Sequence, residues 1–343
     1  MTDGIYTLAN DFVYDQLVAL LNSIEVNAGK NIPVCIIPYD DQLHKIRAEI
    51  ATRKNVTLFS DTTVIKQWEN FATQAWKAHS RAQKAWQARG LPAVYRLAMH
   101  RKFCSINGEF EKFIYFDADT LLMGPLDRVY EKLDCYDWVT NDFQYKSNIH
   151  YIFDRLEECP LPEVDLEIIQ SHVFCAGWFA SKKGVFNEVI LTQLLTQLKM
   201  GEANIMALWG PDQSLLNYMV LRSGISYYNF AYHHLEQATG CHWSSHFDRV
   251  DQVLYDKGRR LTYLHYMSIP SSKFTQLCAG EDVEIPYQDV FLHYRYLKSP
   301  EQRPKLHPPS LLLRFQRKMK RFLSQKLTNL RERFRTVVKI KIF

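Results

Sequence analysis

Phe113-Ile114-Tyr115-Phe116, followed without a break by Asp117-Ala118-Asp119-Thr120, is the stretch that decides the fold. Side chains alternate between the two faces of a strand, so four consecutive large apolar residues leave it no wet face. They predict a strand buried on both sides, as in a parallel sheet covered by helices. The carboxylates at i and i+2 point the same way from extended backbone. In an open α/β sheet, ligands gather beyond the carboxyl ends of the strands. Such hard oxygen donors suit Mg²⁺ or Mn²⁺, which usually bridge carboxylates to phosphates. The pair therefore points to a phosphate-bearing substrate, although alone it also fits a polar turn after a strand.

Outward from this stretch the pattern is consistent. Residues 5–9 read as a short buried strand, and Leu17, Leu20, Leu21 and Ile24 follow at helical spacing. Residues 32–38 form a second strand, 44–53 a helix and 56–59 a third strand. This β-α-β-α-β alternation predicts a parallel, doubly wound sheet. Residues 64–103 read as mainly helical and carry Trp68, Trp76 and Trp86, while 174–180 and 261–264 read as strands. Residues 299–309 hold four of the thirteen prolines and read as a linker.

The chain has 343 residues and a net charge of +5, unevenly spread. Residues 301–343 hold thirteen Lys/Arg against two Asp/Glu, a net of +11, which leaves −6 for residues 1–300. Apolar Leu312, Phe315, Met319, Phe322, Leu323, Leu327, Leu330 and Phe334 fall on one helical stripe, with Arg314, Arg317, Lys318 and Arg321 opposite. Residues 311–343 thus read as a cationic amphipathic helix suited to an anionic membrane surface. Docking on the acidic body and an oligomeric bundle remain alternatives. A nucleic-acid role is disfavoured because the body has no matching motif. The oligomeric state is not legible.

The seven cysteines stand at least sixteen positions apart, which excludes CxxC motifs and suggests reduced core thiols. The first residues lack the basic and apolar regions of a signal peptide, and no apolar run approaches the roughly 20 residues of a membrane span. The expectation is a cytoplasmic protein, peripheral on the inner face of a membrane.

Two enzyme classes place an acidic pair after an apolar strand. Asp117-Ala118-Asp119-Thr120 fits the haloacid dehalogenase-type phosphatase pattern, in which the first Asp attacks phosphorus. That class puts its pair on the first strand and needs a later motif with two acids. Here three strands precede Asp117, and Gly210-Pro211-Asp212-Gln213-Ser214 supplies one acid. Nucleotide-sugar glycosyltransferases of the GT-A fold place the pair after a nucleotide-binding half of roughly a hundred residues, as this chain does.

In detail the chain resembles the glycogenin-type branch of the retaining GT-A glycosyltransferases. The matching segments, in order, are Thr7-Leu8-Ala9-Asn10-Asp11, Arg101 sixteen positions before the acidic pair, 113–125, 174–179, Asp212-Gln213-Ser214-Leu215-Leu216-Asn217 and Tyr263-Leu264-His265-Tyr266-Met267-Ser268. The resemblance spans about residues 5–275. It implies a Rossmann-like, mostly parallel sheet flanked by helices, with a catalytic domain over 1–298, a nucleotide-binding half over about 1–125 and an acceptor-side half over 126–298. The linker (299–310) and the helical tail would follow.

The resemblance also implies a site. Asp117, Asp119 and His265 hold Mn²⁺ or Mg²⁺, and Asp117 also touches the ribose. Leu8, Ala9, Asn10 and Asp11 line the nucleoside, and Tyr14 either stacks on the base or packs in its helix. Ala118 and Gly177 border the donor. Arg101, or Arg96, adds charge to the diphosphate. Asp212 and Gln213 lie near the anomeric carbon, although Asp212 also fits an N-cap of the helix that follows it.

Three positions depart from the family. Cys175 replaces a frequent Asn, while Ser268 and Ser271 stand where a Gly and a Lys are usual, leaving Lys273 as the substitute cation. Residues 64–95 and 229–247 have no counterpart. The second holds His233, His234, Cys241, His242 and His246 among aromatics, which suits sugar stacking better than zinc. The expected activity is metal-dependent, retaining transfer of a hexose from a nucleoside diphosphate sugar, UDP-linked, to a glycan or lipid-linked acceptor. The alternatives are a DxD phosphatase and a catalytically silent binding protein.

Overall fold

A computed structural model describes residues 2–157, 161, 164–307, 315 and 319. The N-terminal half follows the expected alternation: β1 (Asp3–Ala9), α1 (Tyr14–Asn27), β2 (Val34–Pro38), α2 (His44–Ala51) and β3 (Val56–Leu58). Next come α3 (Thr62–Lys77), α4 (Ser80–Ala88) and a 3₁₀ run over Leu97–Asn107, then β4 (Lys112–Asp117) and β5 (Thr120–Leu122). The C-terminal half holds α5 (Asp127–Cys135), β6 (Trp138–Thr140), α6 (Leu166–His172), β7 (Trp178–Lys182), α7 (Glu188–Lys199), α8 (Pro211–Arg222), β8 (Tyr227–Asn229) and α9 (Phe230–His233). A small antiparallel sheet of β9 (Asp248–Val250), β10 (Val253–Asp256) and β11 (Arg259–Arg260) precedes β12 (Tyr263–His265), α10 (Ser271–Cys278) and α11 (Gln288–Arg295).

The central sheet runs β3-β2-β1-β4-β7-β6-β8. β3, β2, β1 and β4 are mutually parallel, β7 is antiparallel to both neighbours, and β6 pairs parallel with β8. The apolar run in β4 is explained by its two faces. Phe113 and Tyr115 enter the core beneath α3, α4, α7 and α8, and Ile114 and Phe116 enter the core beneath α1, α2 and α5. All four are fully buried. At roughly 1.5–3 kcal/mol per large apolar side chain, a charge at any of them would strongly destabilise the sheet.

Residues 64–103 are mainly helical, as expected, although α4 ends at Ala88 and the chain turns through Arg96 in a left-handed conformation (φ 55°) before the 3₁₀ run. Two expectations change. Residues 174–177 are not strand; β7 starts at Trp178. The Asn217 amide bonds both the N–H and the carbonyl of Phe174, and Asp142 takes the Cys175 N–H, so backbone groups a ladder would use are held by side chains. The cysteines are not uniformly core thiols, since Cys135 is exposed.

Residues up to 307 run back onto the body, where the His307 N–H donates to the Gly280 carbonyl. The tail over 311–343 lies outside the described residues apart from Phe315 and Met319, which are helical and exposed. Among the described residues no helix is long and apolar enough to cross a membrane.

Candidate active site

The carboxyl end of β4 lies at the centre of the sheet, and three elements converge on it. Asp117 is the last residue of β4, and Asp119 lies in the turn to β5. β5 leaves the sheet and pairs antiparallel with β12, setting His265 opposite Thr120. This register carries a residue 146 positions away in sequence to the acidic pair. Backbone bonds lock the approach: the Tyr266 N–H donates to the Asp119 carbonyl, and the His265 N–H donates to that of Cys241.

Ligand atoms of Asp117, Asp119 and His265 lie within 4.8 Å of one another, and His265 Nε2 is 3.2 Å from Asp119 Oδ1. Two carboxylates and an imidazole are a suitable donor set for Mn²⁺ or Mg²⁺. Gly177 supplies the space. A Cβ there would lie 2.4 Å from His265 Cε1 and 3.0 Å from both His265 Nε2 and Asp117 Oδ2. A side chain there would collide with two of the donors, so the bare glycine lets them stand this close. Burial lowers the pKa of His265, but Asp119 and Cys175 together more than offset it, so the imidazolium persists well above its ordinary range. Burial raises the Asp119 carboxyl, but His265, a backbone N–H and Lys102 together hold it below the ordinary carboxylate range. A metal bound here would displace the imidazole proton.

Lys102 joins this trio to the N-terminus of α8. Its ammonium, 1 % exposed, lies 3.2 Å from Asp117 Oδ1 and 2.8 Å from Asp212 Oδ2, and donates to the Ala176 carbonyl. Burial opposes the charge, but the two carboxylates prevail and the ammonium stays protonated. Burial raises the Asp212 carboxyl likewise, but Lys102, with His100 and a backbone N–H, holds it below its ordinary range. Asp212 therefore does not cap α8; Gly210 occupies the cap position without a side-chain bond. The Tyr115 hydroxyl donates to the same Asp117 oxygen at 2.7 Å.

The other predicted residues are placed as follows. Arg101 turns the opposite way from Lys102, bonding Glu69 at 2.7 Å and the carbonyls of Pro38 and Tyr39. Asp11 accepts from the N–H groups of Lys45 and Ile46 and so caps α2. Asn10 donates to Asp40 at 2.7 Å. Tyr14 bonds Glu49 and lies between the cations of Lys45 and Arg295. Leu8, Ala9 and Ala118 are buried. Lys273 is exposed on the first turn of α10.

Beside His265 opens a cavity of about 510 Å³, lined by Asp142, Tyr151, Cys175, Gln213, His242 and Met267 among others. The Gln213 side-chain oxygen Oε1 accepts from the Ala176 N–H at 3.4 Å. Asp142 is almost fully buried, and burial pushes its pKa up to about 6 against the N–H groups of Cys175 and Gln144 that lower it.

Sequence reasoning missed Lys102 and Asp142. Lys102 sits in a 3₁₀ run, where the inward face does not follow helical spacing. Asp142 follows the short β6, and the strand-end rule that identified Asp117 would have found it.

No protein-family model and no curated protein matches the chain. Solved structures do. The apo form of mouse xyloside xylosyltransferase 1 superposes with a TM-score of 0.51 over 78 % of this chain and 100 % of its own, at 11 % identity. The apo WbbM bifunctional glycosyltransferase gives 0.51 over 88 % of this chain at 15 % identity, and this chain spans about half (52 %) of its length. At such identities the likeness speaks for architecture alone, and with the mostly parallel sheet flanked by helices it shows that the chain has the GT-A fold.

Proposed function

We propose that the chain is a metal-dependent glycosyltransferase that moves a hexose from a nucleoside diphosphate sugar, UDP-linked, to a glycan or lipid-linked acceptor with retention. The observation that carries this reading is the convergence of Asp117, Asp119 and His265 at the carboxyl end of β4 in a GT-A fold. These three residues would hold Mn²⁺ or Mg²⁺. When bound, the ion acts as a Lewis acid that stabilises the leaving diphosphate.

The remaining work falls to the chain's own groups. Lys102 fixes the rotamers of Asp117 and Asp212 and helps hold the Asp212 carboxyl below its ordinary range. Asp212 and Gln213, at the start of α8, face developing positive charge at the anomeric carbon with a carboxylate and an amide held in place in advance. The cavity beside them holds the acceptor and limits water. The phosphatase reading is weaker, because the fold differs and Asp117 Oδ1 is already engaged by Lys102 and Tyr115.

Calorimetry of UDP with and without Mn²⁺ tests the proposal. Metal-dependent UDP binding that disappears in Asp119→Ala is expected. Absence of UDP binding together with phosphate-monoester hydrolysis would sink it. A donor-hydrolysis assay then separates an active enzyme from a silent binder. The basic tail is proposed to hold the enzyme on the anionic inner face of a membrane, and the exposed stripe residues Phe315 and Met319 support this. The full chain should float with anionic liposomes and a 1–300 truncation should not; equal flotation refutes it.

A further inference from the structure

In the loop before α8, and on the segment between α4 and the 3₁₀ run, lies a feature the proposed reaction does not use. Trp209, three residues before Asp212, is 45 % exposed, although large aromatics elsewhere in this chain are mostly buried. The Arg89 guanidinium lies over its ring at 4.1 Å, and Tyr95 meets it edge-on at 5.9 Å. The Arg96 guanidinium lies over Tyr95 at 5.0 Å. Trp86, fully buried, supports Tyr95 from below at 6.2 Å. The result is a ladder of two aromatic rings and two guanidiniums on the segment between α4 and the 3₁₀ run and on the loop before α8.

Three properties mark this ladder as a binding surface. First, both arginines are exposed, and among the described residues neither has a carboxylate partner, although the body is acidic. Second, a guanidinium that contacts a ring through its face keeps its in-plane N–H groups for bidentate bonding to a carboxylate or phosphate. Third, Arg96 is held at φ 55°, a left-handed conformation costly for a residue with a Cβ; such strain persists where the surroundings enforce it and clusters at binding sites. Arg96 immediately precedes the 3₁₀ run that carries Lys102, and Trp209 stands three residues before Asp212, so the ladder lies on the two segments that bring the Lys102–Asp212 pair together.

We infer that Trp209, Arg89, Tyr95 and Arg96 form an acceptor subsite for an anionic sugar residue, its ring on the exposed indole and its carboxylate or phosphate on the guanidiniums. This inference rests on the glycosyltransferase reading and adds the acceptor's charge class.

The test uses the full chain with the donor site filled by UDP and Mn²⁺. Methyl β-glucuronide, glucose 1-phosphate and methyl β-glucoside are titrated by ligand-observed NMR. At least one anionic probe should bind tenfold or more tightly than the glucoside. It should weaken about tenfold in Arg89→Gln and in Trp209→Ala, with UDP affinity unchanged. Binding of the glucuronide alone assigns a carboxylate, of the phosphate alone a phosphate, and of both alike a shared anion site. Equal affinity for the three probes, no binding, or unchanged binding in both variants overturns the subsite. Failure of the wild type to bind UDP would overturn the transferase reading instead.

Discussion

Lys102 offers the sharpest perturbation of the site. Its ammonium is 1 % exposed and touches one oxygen of Asp117 at 3.2 Å and one of Asp212 at 2.8 Å. Those two oxygens therefore lie no more than about 6 Å apart. Without the lysine, two partly buried carboxylates repel by about 3 kcal/mol at an effective dielectric constant of about 20. Lys102→Met keeps the apolar stem and removes only the charge. Removing one partner from a buried ion pair costs about 3–5 kcal/mol, in line with the Coulomb figure. Urea unfolding in EDTA should show that loss. Lys102→Met/Asp212→Asn should recover about 2 kcal/mol of it, because only one carboxylate then lacks a cation. Mn²⁺ should stabilise Lys102→Met more than wild type, since an ion beside Asp117 replaces the missing charge. If Lys102→Met stays within 1 kcal/mol of wild type in EDTA, or shows no coupling to Asp212, then Lys102 does not hold these acids together as argued.

Three further outcomes follow from the same geometry. Gly177→Ala would drive a Cβ into His265 and Asp117; Mn²⁺ affinity should fall about 10–100-fold by calorimetry with the melting temperature little changed, and an unchanged affinity would show that the loop moves aside. Asn217→Ala strips the partner from both backbone groups of Phe174, so unfolding should become easier by about 1–3 kcal/mol and donor hydrolysis should drop with the loop that carries Gly177. His79 is buried, with Nε2–H donating to the Met206 carbonyl and Nδ1 accepting from the Ala82 N–H, and burial lowers its pKa to about 4. Its neutral form is thus the folded form. Below about pH 6.5 the unfolded chain takes up a proton the folded chain refuses, so stability is lost as pH falls from about 6.5 towards 4. Relative to His79→Gln, the wild type should lose about 2 kcal/mol between pH 7.5 and pH 5 in urea titrations; parallel curves would count against this.

What could be read from the sequence depended on how locally each feature is encoded. β4 was legible because double burial demands consecutive apolar residues, and Phe113–Phe116 satisfies that without reference to distant contacts. β1 and β2 were legible for the same reason, whereas β3, with Thr57 exposed, was read from the strand–helix alternation around it. The break at Arg96 was not, because a left-handed residue other than Gly leaves no compositional mark. Nor was the non-strand path of residues 174–177, which depends on Asn217 and Asp142 arriving from other elements. Arg101 and Lys102 are adjacent, and only the winding of the 3₁₀ run decides which of them meets the carboxylates.

The charge of the assembled cluster explains why metal is central to the proposal. Among the described residues, Asp117, Asp119 and Asp212 form ion pairs with the Lys102 ammonium and the His265 imidazolium alone, so the metal-free cluster is net negative. A donor diphosphate is itself anionic, and without a metal it would be repelled. A divalent cation that displaces the imidazole proton brings the five side chains to formal neutrality. The cluster then no longer opposes the diphosphate, yet it offers no excess positive charge to attract it from a distance. Nucleotide affinity should therefore come chiefly from direct bonds to the metal, with exposed rim cations such as Lys273 adding little. It follows that UDP affinity should depend steeply on Mn²⁺ and only weakly on ionic strength. A strong salt dependence with little metal dependence would mean that the nucleotide binds to the rim cations and not at the end of β4.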